Sequence, residues 1–117
     1  MPNQSGVLDE VFQALADPTR RLIVERLIQN PTSVSELARP LPMSLPAVLQ
    51  HIQVLEVCGL VRSEKVGRVR TCHIEPAALR NAEDWITGQR TAWENRLDQL
   101  GAYLAEQPKP PQDRSTP

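Results

Sequence analysis

Apolar positions in this chain recur at helical spacing in four short stretches, alternate briefly as strands do, and then return as one long helical stripe. Val7, Leu8, Val11, Phe12 and Leu15 fall on one face and predict a first helix, preceded by polar residues 1–6 read as a flexible N-terminus. Asp17-Pro18 opens a second helix, with the acid at the N-cap and proline where the missing N–H costs nothing. Leu22, Ile23, Leu27 and Ile28 supply its buried side, and Asn30-Pro31 ends it. Ser33-Val34-Ser35-Glu36 reads as a capping box for a third helix that turns Val34, Leu37 and Ala38 inward and closes at Pro40 and Pro42. Ser44 caps a fourth, with Pro46 in its first turn. There Val48, Ile52 and Leu55 make a core stripe with Leu45 nearby, and the helix runs to Cys58 and stops at Gly59.

A strand begins at Leu60–Arg62, Gly67 marks a turn, and Val69–Ile74 returns as the second arm of a β-hairpin. Which face of that arm is buried stays open, because Val69 and Thr71 share one parity, Cys72 and Ile74 the other. From Pro76 onward Leu79, Ala82, Ile86, Trp93, Leu97, Leu100 and Leu104 recur at threes, fours and sevens. A long helix with this stripe carries more apolar length than a compact monomer covers, although folding back over its own domain would cover part. The economical partner is a second copy, joined also through Leu8, Val11 and Phe12 of the first helix. Short helix, proline-bearing turn and second helix make a helix-turn-helix, and the hairpin after it makes a winged helix. The expected fold is therefore mostly α with a small β-hairpin wing, dimerising through the first and last helices. It occupies residues 7–106 as one domain, and 107–117, with Pro108, Pro110, Pro111 and Pro117, is read as a disordered tail.

The outward side of the fourth helix, Pro46, Ala47, Gln50, Gln53, Val54 and Val57 with Ser44 at its start, is small or amide-bearing rather than charged. Such a face suits a major groove, where glutamine pairs bidentately with adenine. Between Val61 and His73 the chain carries Arg62, Lys65, Arg68 and Arg70 against Glu64, a local net of +3 in a chain of formal net charge -1. Lys65, Arg68 and Arg70 on a hairpin beside a small-faced helix are what phosphate contacts flanking a groove require. Arg20, placed in the first turn of its helix where the dipole disfavours a cation, asks for a phosphate or an acidic neighbour. Taken singly, each feature also fits an ordinary amphipathic helix or a solvated turn; side by side they point to double-stranded DNA, and a twofold dimer would set two reading helices about 34 Å apart, one turn of duplex.

Composition narrows the setting. The 117 residues suit one domain, whose core must be built of Leu, Val, Ile and Ala because Phe12, Trp85, Trp93 and Tyr103 are the aromatic complement. Two cysteines, no signal-peptide pattern and no long apolar run indicate a reducing, cytoplasmic setting away from membranes. No glycine-rich phosphate loop and no nucleophile with a base stand in the sequence, which argues against an enzyme and implies no cofactor.

LADPTRRLIVERL, followed by SVSELARPLPMSLPAVLQHIQVLEVCGLVRSEKVGR, resembles the ArsR-type winged-helix transcription regulators of bacteria, and the match extends from about Leu8 to Leu104. The resemblance implies a small homodimeric repressor that binds operator DNA near its own or adjacent genes; the effector that releases it is not written in the chain. The tail LRNAEDWITGQRTAWENRLDQLGAYL looks like a branch without an obvious metal site. The family's Ser-Arg-His-Leu pattern in the reading helix falls on Leu49, Gln50, His51 and Ile52, so its serine and arginine are absent here. Gln50 keeps a base-reading position, Leu49 could touch a thymine methyl, and His51 either bridges the helix-turn-helix or reaches a phosphate.

The cysteine pair of metal-sensing relatives would fall within Glu36 to Met43, where ELARPLPM has no thiol or imidazole. Cys72 and His73, neighbours on a strand, point to opposite faces. No metal is expected, with a site from Cys58, Cys72 and a histidine the one alternative. Those two cysteines are otherwise either buried packing or a redox pair, the second requiring Cβ atoms within about 4.5 Å. A winged helix that binds protein instead of DNA is the rival function; its signature would be an apolar outer face on the reading helix with an uncharged wing, and this wing is charged.

Overall fold

The computed structural model describes residues 4–106, with side chains from Gly6 onward. Five helices and three strands follow in the order α1 (Gln4–Leu15), α2 (Pro18–Gln29), β1 (Thr32–Ser33), α3 (Val34–Ala38), α4 (Leu45–Val57), β2 (Val61–Val66), β3 (Val69–Ile74) and α5 (Pro76–Glu106). This is the expected winged helix-turn-helix: mostly α, with α3 and α4 forming the helix-turn-helix and β2–β3 the wing. The helix starts are written in side-chain oxygens. Asp17 Oδ1 accepts from the Arg20 N–H at 3.0 Å, Ser33 Oγ from Glu36 at 3.2 Å and Ser44 Oγ from Ala47 at 3.3 Å, each satisfying an N–H that the helix itself leaves orphaned. At the far end of α4, Gly59 takes φ 83, Leu60 N–H reaches Leu55 O at 3.0 Å and Gly59 N–H reaches Glu56 O at 3.1 Å. This is a Schellman closure, and its apolar contact is supplied by Leu55 and Leu60, both wholly buried.

The wing turns through Gly67-Arg68, with Gly67 at φ 65, the position where a two-residue hairpin loop needs glycine. Pairing runs from Val66 opposite Val69 to Val61 opposite Ile74. Cys72 is the inward residue of β3, which settles the face that alternation left open. The sheet has a third strand that periodicity missed: β1 pairs antiparallel with β3, Thr32 opposite Cys72 and Ser33 opposite Thr71, in the order β1-β3-β2. Two residues are too few to show alternation, and backbone pairing alone makes them a strand.

Val11, Ala14, Ile23, Val24, Leu27, Leu37, Val48, Ile52, Leu55, Leu60 and Cys72 form the centre of one core. Three phase expectations change. Leu22 and Ile28 are exposed and Val24 takes the inward place on α2, while Leu45 is also exposed. Val11, expected at a dimer interface, is 1% exposed inside its own protomer and has no surface left to offer a partner.

α1 begins at Gln4, so it takes in residues that the sequence reading leaves to a flexible end; residues 1–3 and the proline-rich 107–117 lie outside those described. The chain divides into two compact units. The first, to Glu83, is the winged helix and includes the start of α5, where Ala78 and Ala82 are buried. The second, from Asp84, is the remainder of α5, whose Trp85, Ile86, Trp93, Leu97, Leu100, Tyr103 and Leu104 are all exposed. Among the described residues no helix is long and apolar enough to cross a membrane.

Candidate nucleic-acid interface

The register of the wing sorts its charges. Lys65 stands directly opposite Arg70 and Ser63 opposite Cys72, so by strand alternation these four share one face, the face that carries the buried Cys72. Arg62, Glu64, Thr71 and His73 occupy the other. On that second face Arg62 is paired with carboxylates: its Nε donates to Glu75 Oε1 at 2.7 Å and its Nη1 lies 3.8 Å from Glu64 Oε2, while His73 Nε2 lies 3.3 Å from Glu64 Oε1. The cations of the first face are not so paired. Among the described residues no ion pair is formed by Lys65, Arg68 or Arg70. Like charges directly opposite in a hairpin are destabilising, and an anion arriving from outside relieves them. Arg62 therefore belongs to a structural charge cluster, and the cations free to meet an anion are Lys65, Arg68 and Arg70.

These three line an open recess of about 430 Å³ together with Leu49 of α4 and Ser35 and Glu36 of α3, three cations against one carboxylate. The reading helix, the helix before it and the wing thus converge on one cationic surface. Ser44, Pro46, Leu49 and Gln50 are exposed along α4, whereas Ala47 and His51 are half-buried. Ser44 already serves α4 as its cap. Gln53, also exposed, borders a second recess of about 540 Å³ between α4 and α1, shared with Gln50, Glu10, Val54 and Val57. Gln50 and Gln53 therefore both border the recess on the α1 side, and Leu49 is the α4 residue that borders the wing-side recess.

Arg20, expected at a phosphate, is committed elsewhere. Its Nε donates to Ala14 O at 2.8 Å, its Nη2 to Gln13 O at 3.2 Å, and its Nη1 lies 3.2 Å from His51 Nδ1. What draws the cation to the start of α2 is the carbonyl end of α1, a negative helix terminus supplied by a neighbour. Arg21 does likewise toward Leu15 O at 2.7 Å. His51 accordingly bridges α4 to α2.

Two residues of the site were not singled out from sequence. Ser63 Oγ donates to Glu56 Oε2 at 2.8 Å and accepts from Arg70 Nη1 at 3.1 Å. The hairpin register alone could have found the closeness of Ser63 to Cys72; the reach to Glu56 depends on how α4 meets the sheet.

Cys58 and Cys72 are free and buried. Cys58 Sγ donates to Leu55 O at 3.4 Å. Burial pushes the Cys58 thiol up, and burial first and the Glu56 charge next push Cys72 up to about 11. Both are thus held as thiols, the unreactive form. Among the described residues no three His, Cys, Asp or Glu side chains converge as metal ligands, and α3, Val34–Ala38, contains no soft donor. The residues present do not fit the metal site of metal-sensing regulators.

Residues 17–63 match the model for bacterial regulatory proteins of the arsR family. The chain is 46% identical over 97 residues to the HTH-type transcriptional regulator Rv2034 of Mycobacterium tuberculosis, covering 80% of this chain and 91% of the relative. Among solved structures it is similar to the ArsR family transcriptional regulator RHA00566, at 47% identity and TM-score 0.75, covering 80% of this chain and 97% of that one. It is also similar to the homodimeric winged helix-turn-helix DNA-binding domain Mb0332 of Mycobacterium bovis, at 25% identity and TM-score 0.58, with 74% and 82% covered.

Proposed function

Because the chain belongs to the ArsR family of bacterial regulatory proteins and is a helix-turn-helix transcriptional regulator, we propose that it works in the cytoplasm as a homodimeric repressor. Each protomer lays the exposed side of α4 in a major groove and sets the wing on the flanking backbone. Ser44, Pro46, Ala47, Leu49 and Gln50 face base edges, with Gln50 as the residue able to pair with adenine. Lys65, Arg68 and Arg70 meet phosphates. The observation that carries this reading is the unbalanced wing face: Lys65 opposite Arg70, with Arg68 at the turn, beside Leu49 of α4. Gln53 and His51 stand at the margin of that surface, and Arg20 supports it from within the protomer.

Dimerisation is assigned to apolar side chains that the protomer leaves exposed. Trp93, Leu97, Leu100 and Leu104 on α5 follow the four-three-four spacing of a helix–helix seam, with Ile86 one heptad before Trp93. Phe12 of α1, exposed, is a further candidate for a partner, joined by the part of Leu8 that its packing against the protomer's own core leaves open. A twofold pair presents two copies of α4 to successive turns of one side of the duplex. Occupying the operator excludes other proteins from it, and repression follows. Cys58 and Cys72 are packing residues in this reading, not a switch.

The test is a titration of purified protein against a fluorescent duplex carrying the DNA upstream of its own gene, in parallel with a mixed-sequence duplex. It is run reduced, oxidised, with zinc and with chelator. Tight binding that prefers the upstream duplex and ignores all four conditions is the expected result. Failure to bind either duplex overturns the reading in favour of a protein-binding winged helix, and loss of binding on oxidation returns Cys58 and Cys72 to the role of switch.

A further inference from the structure

The wing's cation does not stand alone. Glu56 lies in the last turn of α4, Ser63 in β2 and Arg70 in β3, and the three are joined in series by hydrogen bonds of 2.8 and 3.1 Å. A serine hydroxyl has one proton and two lone pairs. Once that proton is given to the Glu56 carboxylate, the lone pairs are left to accept, and the adjacent guanidinium N–H takes one of them. Donation to an ionised acceptor strengthens the second bond, since hydrogen bonds in a chain polarise one another.

The arrangement has an electrostatic reason. Lys65 is directly opposite Arg70 on the same face, and without an opposing charge Arg70 would swing away from it into solvent. Glu56 supplies that charge through Ser63. It does so from the C-terminal turn of the reading helix, so the position of Arg70 is referred to α4 rather than to the hairpin alone. One guanidinium N–H is committed to Ser63, and the rest of the fork remains available to an anion.

We propose that Glu56 and Ser63 are positioning residues for DNA binding, which hold Arg70 of the wing at a set place relative to α4 before any phosphate arrives. The proposal rests on the reading of the wing as a backbone contact. Neither Glu56 nor Ser63 touches DNA; they remove the ordering cost that a long, freely rotating side chain would otherwise bring to binding, worth roughly two- to tenfold in affinity for one such side chain.

The experiment measures affinity of the full chain for a mixed-sequence DNA duplex across a salt series, because backbone contacts do not depend on sequence. The variants are Ser63→Ala, Ser63→Thr, Glu56→Gln, Arg70→Ala and the double variant Ser63→Ala with Arg70→Ala. Arg70→Ala should weaken binding and flatten the salt slope by about one, the loss of a single phosphate contact. Ser63→Ala and Glu56→Gln should weaken binding roughly two- to tenfold with the slope unchanged, since Arg70 keeps its charge. Ser63→Thr should restore the wild-type value, and Ser63→Ala should cost nothing further once Arg70 is alanine. If Ser63→Ala binds like wild type while Arg70→Ala does not, the relay is overturned and the wing contact stands. If the loss from Ser63→Ala persists in the Arg70→Ala background, the serine acts on the fold and the relay is likewise overturned. If Arg70→Ala binds like wild type with an unchanged slope, both the relay and the wing contact fall.

Discussion

Arg20 Nη1 lies 3.2 Å from His51 Nδ1, across 31 residues of sequence, and the same guanidinium donates to two carbonyls at the end of α1. One cation thus ties α1, α2 and the reading helix α4 together. Removing it should unlock those helices without removing a DNA contact.

Arg20→Ala should cost about 1.5–3 kcal/mol of stability, the range for hydrogen bonds made by a charged group, read from the urea midpoint. The salt slope of DNA binding should not change. A slope lowered by about one would make Arg20 a phosphate ligand. Arg20→Lys should recover little, because an ammonium cannot address Ala14 O, Gln13 O and His51 as a planar fork does.

Asp17 caps α2, and the backbone N–H of Arg20 first of all holds its carboxyl below its ordinary value of 3.8. A carboxyl lowered by folding stabilises the native state above that ordinary value, and the contribution is lost as pH falls through the lower native one. Asp17→Ala should therefore cost about 1 kcal/mol near neutral pH and progressively less below pH 3.8. Urea midpoints of the two proteins that stay equally far apart in acid would show that the carboxylate charge contributes nothing.

The elements legible in the sequence were those whose signals are local. Asp17, Ser33 and Ser44 announce helix starts because a cap acts within three residues, and Gly59 and Gly67 announce an end and a turn because only glycine takes those φ values cheaply. What was not legible depends on which segment comes to lie beside which. Leu22 and Val24 are equally apolar, and only packing decides that Val24 goes in. Arg20 was recognised as a cation out of place on its own helix; its partner, the end of α1, lies on another. The wing cations were visible as composition, but their sorting into a face paired with carboxylates and an unbalanced face required the strand register. The Glu56–Ser63–Arg70 series spans three elements and leaves no spacing by which to find it.

Cys72 is wholly buried, and burial, followed by the Glu56 charge, raises its thiol to about 11. A thiol raised by folding stabilises the native state fully below the unfolded value of 9.0. That stabilisation drains away between there and about 11, because the unfolded chain then ionises more readily. Stability should fall over this alkaline window, and Cys72→Ala should reduce the fall. In the native protein near neutral pH, alkylation by iodoacetamide should be slow at both cysteines and fast after unfolding. Fast alkylation of Cys72 in the folded protein would reopen its role as a sensor.

Gln50 and Arg68 should separate specificity from affinity. Arg68→Ala should weaken binding to all duplexes alike and lower the salt slope by about one, whereas Gln50→Ala should narrow the preference between duplexes by about 1–3 kcal/mol and leave the slope alone. Fluorescence anisotropy against the upstream and mixed-sequence duplexes measures both quantities. If Gln50→Ala leaves the preference unchanged, α4 does not read bases through this face.

The α5 seam carries the last prediction. Trp93 is 59% exposed and Leu97 47% exposed in the protomer, a poor arrangement for side chains whose transfer out of water is worth about 1.5–3 kcal/mol each. Their four-three-four spacing with Leu100 and Leu104 keeps them on one side of a helix over three turns, which no charge interrupts along the seam from Trp93 to Leu104. Leu97→Glu would place a carboxylate in the middle of that seam in each of two copies, like charges with no partner in a drying interface. The variant should sediment as a monomer while keeping the thermal transition of the winged-helix unit, since Leu97 belongs to the unit from Asp84 onward. A monomer meets one half-site where the dimer meets two, so its affinity for the upstream duplex should fall toward the value for mixed-sequence DNA. A Leu97→Glu protein that still sediments as a dimer and binds as wild type would remove the seam from the interface and leave dimerisation to Leu8 and Phe12 of α1.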